Sequence, residues 1–168
     1  MKHSWGANRA ERIYLLTILF LMFVFPIAFI VADATIFHST MGTVPLVGKW
    51  FVFWAVGVRL FTAGLRQAVR PEFTAETILG VKSREPLIIV QELGFANLSI
   101  GLLGMIIFFN NNWVFPAAIV GALFYGLAGI RHILSKERNL LEKSAMLSDL
   151  IVSTVLIVYL ILTLAEGL

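Results

Sequence analysis

The sequence predicts an all-α integral membrane protein, a bundle of five transmembrane helices that forms a single domain over residues 1–168. Of the 168 residues, 59% are hydrophobic and 14% are charged. Soluble domains average about 45–50% apolar and about 25% charged residues, so the composition is that of a chain in lipid. Five helices of about 20 residues use about 100 residues, which leaves only short connections between them.

The apolar segments give the positions of the predicted spans. The first segment is too long for the apolar core of a signal peptide and has no small-residue cleavage site, so we interpret it as a spanning helix. Pro26 lies inside it and is expected to kink it, because proline lacks a backbone donor and clashes with the preceding turn. The five spans are predicted at residues 13–37, 47–70, 86–109, 113–134 and 145–164.

The longest polar connection, residues 71–86, joins the second and third spans. Pro71 suits the first turn of a helix, and Gly80 suits the end of one. We therefore expect a short interfacial helix here, with Glu72 and Glu76 facing water.

A tight turn of three asparagines, residues 110–112, joins the third and fourth spans. These two spans are therefore predicted to be antiparallel neighbours. Small residues at short helical spacings allow close contact between membrane helices, and both spans carry them. They are Gly94, Gly101 and Gly104 in the third span and Ala117, Gly121, Ala122 and Gly126 in the fourth.

The basic residues predict the orientation of the chain in the membrane. There are 13 lysines and arginines in all. All but Lys49 and Arg59 lie on one predicted side, in the N-terminal tail or near the connections that follow the second and fourth spans. By the positive-inside rule, the N-terminus is cytoplasmic, and the chain is a multi-pass protein of the inner (plasma) membrane.

Arg59 in the second span and Glu92 in the third are charges predicted to lie within the membrane. A charge at that depth normally needs a partner or a water-filled cavity, so we expect these two residues to form an ion pair. Arg59, Arg66 and Arg70 share one face of the second helix, because their spacing returns to the same side at about 100° per residue.

Two interpretations of this charged region are open. In the structural one, the ion pair only fixes the register of two helices. In the functional one, an inward-facing polar pocket binds an anionic small molecule or a lipid headgroup, and arginines bind its phosphate or carboxylate. The residues predicted to contribute to this pocket are Arg59, Arg66, Glu92, Gln91, Asn97, Tyr125 and His132.

Other kinds of site find little support in the sequence. Cysteine is absent, which excludes disulfides and thiolate metal ligands. His38 and His132 are predicted on opposite faces of the membrane, and His3 lies in the N-terminal tail. These histidines do not converge on one metal ion or haem, so we expect no metal and no cofactor. There is no motif for Ser/His/Asp catalysis, and basic residues at span ends do not indicate nucleic-acid binding. Asp33 and His38 are expected to be solvated near the outer surface.

Residues 59–80 (RLFTAGLRQAVRPEFTAETILG) and 91–104 (QELGFANLSIGLLG) resemble an uncharacterised family of small bacterial polytopic membrane proteins. In looser outline the chain is similar to DoxX-like four-helix proteins. The resemblance covers roughly the middle third of the chain and depends on its arginines, glutamate and asparagine. It implies a membrane fold and location, and it transfers no catalytic residue.

Three functions fit these residues. The first is a non-enzymatic membrane protein that binds a small anion or a membrane lipid headgroup, or transports it as a homo-oligomer. The second is an accessory or scaffold subunit that packs against a membrane partner subunit in a larger complex. The third is a lipid-modifying intramembrane enzyme with Glu92 as acid or base, which we rank last because one carboxylate beside an arginine supports it weakly.

Overall fold

The computed structural model of the chain describes residues 9–78, 86–135 and 139–167. The described residues are helical apart from short connections, and none of them lies in a β-strand. Within these residues, five helices are long and apolar enough to cross a membrane, which confirms the predicted helical class and the predicted number of membrane-length helices. Numbered helix 1 to helix 5 in chain order, they are Glu11–Thr35, Thr43–Val69, Leu87–Ile106, Asn111–Ile133 and Leu140–Glu166.

Helices 2 and 5 begin earlier than predicted. Helix 2 begins at Thr43, in a stretch whose glycine and proline predict a loop. Pro45 lies in its first turn, where a missing N–H costs no hydrogen bond. Helix 5 begins at Leu140, because the side chain of Asn139 accepts a hydrogen bond of 2.8 Å from the N–H of Glu142 and caps the helix.

Helices 1 and 2 each contain a wider, π-helical segment. In helix 1 this segment is Phe20–Val24, and the N–H of Phe25 bonds five residues back instead of four. Pro26 follows directly, so the irregularity expected at this proline takes the form of a π segment, which relieves the clash with the preceding turn. In helix 2 the π segment is Val52–Val58, and it ends immediately before Arg59.

Helix 2 is the centre of the bundle and packs against the other four helices. Its closest neighbour is helix 3, because glycines bring the two backbones together. A Cβ atom added to Gly64 would lie 2.5 Å from the backbone N of Leu98. One added to Gly57 would lie 2.9 Å from the backbone C of Gly104. Larger residues at these positions would therefore push the two helices apart.

The small residues of helices 3 and 4 do not form a joint interface, contrary to the prediction. Those of helix 3 face helix 2, while in helix 4 Gly121 faces Val56 of helix 2. Gly126 faces Ser153 of helix 5, whose hydroxyl donates a hydrogen bond of 2.9 Å to the C=O of Ala122. The close helix pairs are therefore 2 with 3 and 4 with 5. The prediction failed because the spacing of small residues identifies a close-packing face but not the helix that packs on it.

The segment between helices 2 and 3 packs against the bundle with one side. Within it, Phe73–Ile78 is helical, and the predicted helix end at Gly80 lies outside the described residues. Glu72 and Glu76 are exposed, as expected for an interfacial helix. Thr74, on the other side, is buried and 7% exposed. One side of the segment thus covers an end of the bundle, and the other side carries the exposed glutamates.

At the opposite end of the bundle, an ion pair joins helix 1 to helix 2. Lys49 Nζ lies 2.8 Å from Asp33 Oδ2, and the indole N–H of Trp50 donates to the same oxygen at 2.9 Å. Lys49 Nζ also lies 4.6 Å from the centre of the Trp50 ring. Asp33 is only 8% exposed, so the expectation that it is solvated is wrong, whereas His38 is exposed. The carboxylate of Asp33 is buried, and Lys49 and Trp50 supply the partners that a buried charge requires.

Candidate functional site

A polar cavity of ≈ 170 Å³ lies at the end of the bundle where helix 1 begins and helix 2 ends. All five helices and the segment between helices 2 and 3 contribute to its wall. Its polar lining consists of Tyr14, Thr17, Arg59, Thr62, Arg66, Gln67, Thr74, Asn97, Tyr125, His132 and Asp149.

Two arginines supply the positive charge of the cavity. Arg59 is the first residue after the π segment of helix 2, and Arg66 lies on the same face of the α-helical stretch that follows. Cζ of Arg59 lies 5.7 Å from the centre of the Tyr14 ring, within the range of a cation–π contact. The two guanidinium groups are close enough to repel one another, so the cavity concentrates positive charge.

Tyr125 connects helix 4 to the π segment of helix 2 beside the cavity. The N–H of Arg59 bonds to the C=O groups of Trp54 and Val56. It thereby bypasses the C=O of Ala55, which accepts a hydrogen bond from the Tyr125 hydroxyl. Tyr125 is only 3% exposed. Since a buried polar group without a partner is destabilising, this bond fixes helix 4 against helix 2 next to Arg59.

Asn97 on helix 3 presents an unpaired acceptor at the cavity. Its side chain is 3% exposed, and Nδ2 donates to Oε1 of Gln67 at 2.6 Å. Among the described residues, Oδ1 of Asn97 has no hydrogen-bond partner, and neither has the buried Nε of Arg59. Buried polar groups are nearly always paired in native proteins. Two residues of the cavity lining therefore each carry one buried polar atom without a partner among the described residues, an acceptor on Asn97 and a donor on Arg59.

The wall formed by helices 4 and 5 carries acidic groups and a histidine. Asp149 is 8% exposed and lies within electrostatic range of Arg59 and His132. His132 Nδ1 lies 3.2 Å from Glu142 Oε1, which joins the end of helix 4 to the start of helix 5. Within the described residues, no three His, Cys, Asp or Glu side chains are grouped to hold a metal ion. The lining thus sets two arginines against a single carboxylate and favours an anion.

The structure brings five of the seven predicted site residues together and leaves two outside. Gln91 and Glu92 do not line the cavity. Gln91 instead donates from Nε2 to the C=O of Ala68 at 3.2 Å and so joins helix 3 to helix 2. The five that line the cavity are Arg59, Arg66, Asn97, Tyr125 and His132.

Glu92 is exposed and forms no ion pair with Arg59, so the expected pairing is wrong. The ion pairs found among the described residues are the two given above, and neither includes Glu92. Helix 3 turns Gly94 toward helix 2. Two residues correspond to about 200° around a helix, so Glu92 points away from Arg59. The two residues belong to neighbouring helices, but they lie on sides that do not face each other.

The predicted set of site residues omits two side chains that shape the cavity, Tyr14 and Asp149. Asp149 lies nine residues after Leu140, well inside helix 5. An acidic residue at such a position is a functional candidate by default, but the predicted span begins too late to reveal its depth. Nothing in the sequence marks Tyr14, whose position depends on how helix 1 packs beside helix 2.

Residues 12–167 match the model of a family of unknown function, DUF6790. The chain belongs to the DUF6790 family. This confirms the predicted membership of an uncharacterised family. No curated protein matches the chain, and no solved structure matches it. DUF6790 membership therefore brings no activity with it, and the function has to be argued from the cavity.

Proposed function

We propose that this DUF6790 protein binds a small anionic group in its polar cavity, either a free anion or the headgroup of a membrane lipid. The observation that carries the proposal is the buried Nε of Arg59, an unpaired donor on a cationic side chain that lines the cavity. A buried donor without a hydrogen-bond partner is costly. An anion bound in the cavity would supply that partner.

The residues around Arg59 suit an anion. The planar guanidinium group of arginine binds phosphate or carboxylate through two parallel N–H groups. Arg66 adds a second positive charge on the same wall, and the Tyr14 ring supports the guanidinium of Arg59 from helix 1. Positive charge from two side chains in a partly enclosed site raises the local concentration of anions.

The size of the cavity limits the ligand. At ≈ 170 Å³ it is smaller than the pockets of drug-sized ligands, which begin at about 300 Å³. It has room for a phosphate, a carboxylate or a small headgroup. The proposal therefore concerns the anionic group of a ligand and not a large metabolite enclosed whole.

In this proposal the cavity opens toward the cytoplasmic side of the inner (plasma) membrane. The distribution of lysine and arginine supports this orientation, because those that the structure describes, apart from Lys49 and Arg59, lie near the end of the bundle where helix 1 begins. A monomer with this cavity is a binding protein, and a homo-oligomer would be required to build a transport path around it.

Ligand-dependent thermal unfolding in mild detergent tests the proposal. Two probes that carry a phosphate are used separately, the water-soluble glycerol 3-phosphate and the lipid phosphatidylglycerol. We expect at least one of them to raise the unfolding temperature of the wild-type protein, because a ligand at 100 times its Kd stabilises the folded state by about 2.7 kcal/mol.

Two arginine variants make this experiment specific. Arg59→Gln should lose most of the shift in unfolding temperature, because it removes the unpaired donor. Arg131→Gln removes an exposed arginine outside the cavity lining and should keep the shift. Failure of both probes to shift the wild type, or an equal shift in Arg59→Gln, would contradict the proposal.

A further inference from the structure

The two halves of helix 1 pack against different neighbours. The C-terminal half, Phe25–Thr35, packs on the beginning of helix 2, whereas the N-terminal half, Arg9–Leu19, packs mainly on helix 5. The end of helix 2, Arg59–Val69, packs mainly on helix 3. Helices 1 and 2 thus diverge beyond their π segments, and the cavity occupies the gap between them.

The cavity reaches the outer surface of the bundle through this gap. Thr62 of helix 2 and Leu93 of helix 3 line the cavity and are also exposed. Leu65 and Ile89, their neighbours on the same helix faces, are 51% and 68% exposed. The Thr62 hydroxyl donates to the C=O of Val58 on its own helix at 2.8 Å, so it leaves no unpaired donor at an apolar surface. The rim of the opening is therefore suited to hydrocarbon.

The positive charges of the cavity lie near the level of lipid phosphates. Helix 2 has 27 residues and is about 40 Å long, about 10 Å longer than the hydrocarbon core of a bilayer. Arg66 lies three residues before Val69, where helix 2 ends. Arg59 begins deeper, but its guanidinium reaches the ring of Tyr14, three residues from the start of the helix 1 span. Long arginine side chains commonly extend toward the membrane surface in this way.

The two unpaired atoms restrict the chemistry of the headgroup. Nε of Arg59 needs an acceptor, which a phosphate oxygen supplies. Oδ1 of Asn97 needs a donor, which an ionised phosphate diester lacks. A headgroup that carries a hydroxyl group beside its phosphate satisfies both atoms. Phosphatidylglycerol has both groups, whereas the quaternary ammonium of phosphatidylcholine carries no N–H or O–H donor.

We propose that the bound group is the hydroxyl-bearing phosphate headgroup of an anionic membrane lipid, which reaches the cavity sideways through the gap between helices 1 and 2. The phosphate binds Arg59 and Arg66, the hydroxyl donates to Oδ1 of Asn97, and the acyl chains remain in the bilayer. This inference rests on the proposed function and narrows its ligand from any small anion to a lipid.

Native mass spectrometry of protein released from vesicles tests the inference. The vesicles contain phosphatidylcholine with phosphatidylglycerol as the minor component. We expect the protein to retain phosphatidylglycerol about tenfold above its share of the vesicle lipid, which corresponds to about 1.4 kcal/mol of preference. No such preference, together with stabilisation by glycerol 3-phosphate, would overturn the lipid inference and leave the proposed function standing. If neither probe binds, both proposals fail.

Two tryptophan substitutions on helix 3 test the lateral route. Leu93→Trp places a bulky ring in the opening, where Leu93 is 39% exposed. Leu102→Trp makes the same change at a position that is 52% exposed and outside the cavity lining. We expect Leu93→Trp to reduce retention of phosphatidylglycerol about tenfold and Leu102→Trp to leave it unchanged. Equal retention by the two variants would contradict lateral access.

Discussion

Helices 1 and 2 contribute to a charged cluster at each end of the bundle, and the two clusters differ in how their charges are partnered. At the end away from the cavity, Asp33 lies 2.8 Å from Lys49 and accepts a second hydrogen bond from Trp50. At the cavity end, Nε of Arg59 and Oδ1 of Asn97 have no partner among the described residues. Within the described residues, the first cluster is complete and the second is not.

This difference separates a structural charge cluster from a candidate binding site. A buried charge with its partners in the same chain favours one arrangement of helices and resists the loss of either partner. A buried donor or acceptor without such a partner leaves a hydrogen bond that a group from outside the chain can complete. Because the same two helices take part in both clusters, a change at one end serves as a control for a change at the other.

The largest loss of stability is expected at the complete end. Asp33→Asn preserves the shape of the side chain but leaves Lys49 without its opposite charge. We expect the free energy of unfolding to fall by about 3 kcal/mol, measured by chemical unfolding in detergent. Binding of phosphatidylglycerol should not change. An unfolding free energy equal to that of the wild type would mean that the ion pair contributes nothing to the fold.

The largest loss of binding is expected at the incomplete end. Arg59→Gln removes a charge-assisted hydrogen bond worth about 1.5–3 kcal/mol, so the affinity for phosphatidylglycerol should fall by about 10- to 100-fold. Stability without lipid should stay the same or rise, because an unpaired buried donor is removed. A destabilisation as large as that of Asp33→Asn would show that Arg59 is structural.

Tyr125→Phe should have a smaller effect, on both the stability of the fold and the affinity for lipid. The variant leaves the buried C=O of Ala55 without the donor that Tyr125 supplies, which should cost about 1–2 kcal/mol of stability. Lipid affinity should fall by less than in Arg59→Gln, because the change shifts the helix that carries the arginine without removing its charge. Unfolding and lipid titration of the same sample measure both quantities. Unchanged stability would contradict the role assigned to this hydrogen bond.

Glu92→Gln should have the smallest effect. Glu92 is exposed, lines no part of the cavity and has no ion-pair partner among the described residues. Its neutralisation should change stability by at most about 0.5 kcal/mol and leave lipid affinity unchanged. A larger loss of either would restore the pairing with Arg59 that the sequence predicts.

The number of spans could be predicted from the sequence because it depends on local properties. Apolar length decides whether a helix can cross a membrane. Charged and polar residues in such a helix are avoided unless they face the interior, and this rule selected Arg59, Arg66 and Asn97. The family resemblance was confirmed by a match to a family of unknown function, and it contributed no site residues.

The arrangement of helix faces could not be predicted, because it depends on contacts between distant parts of the chain. The glycines of helix 3 could have faced either neighbour, and they face helix 2. The π segment Val52–Val58 also changes the rotation of helix 2 before Arg59, so a uniform advance of about 100° per residue does not hold across it. The error over Glu92 has the same origin. The sequence predicts how deep Glu92 lies along helix 3, but not toward which neighbouring helix its side chain points.

The most direct test of the account compares stabilisation by phosphatidylglycerol in the wild type, Asp33→Asn and Arg59→Gln. We predict that the lipid raises the unfolding temperature of the wild type and of Asp33→Asn by the same amount, although the second starts from a lower value. Arg59→Gln should show a much smaller rise. A full rise in Arg59→Gln, with loss of the rise in Asp33→Asn, would contradict the assignment of structure to one end and binding to the other.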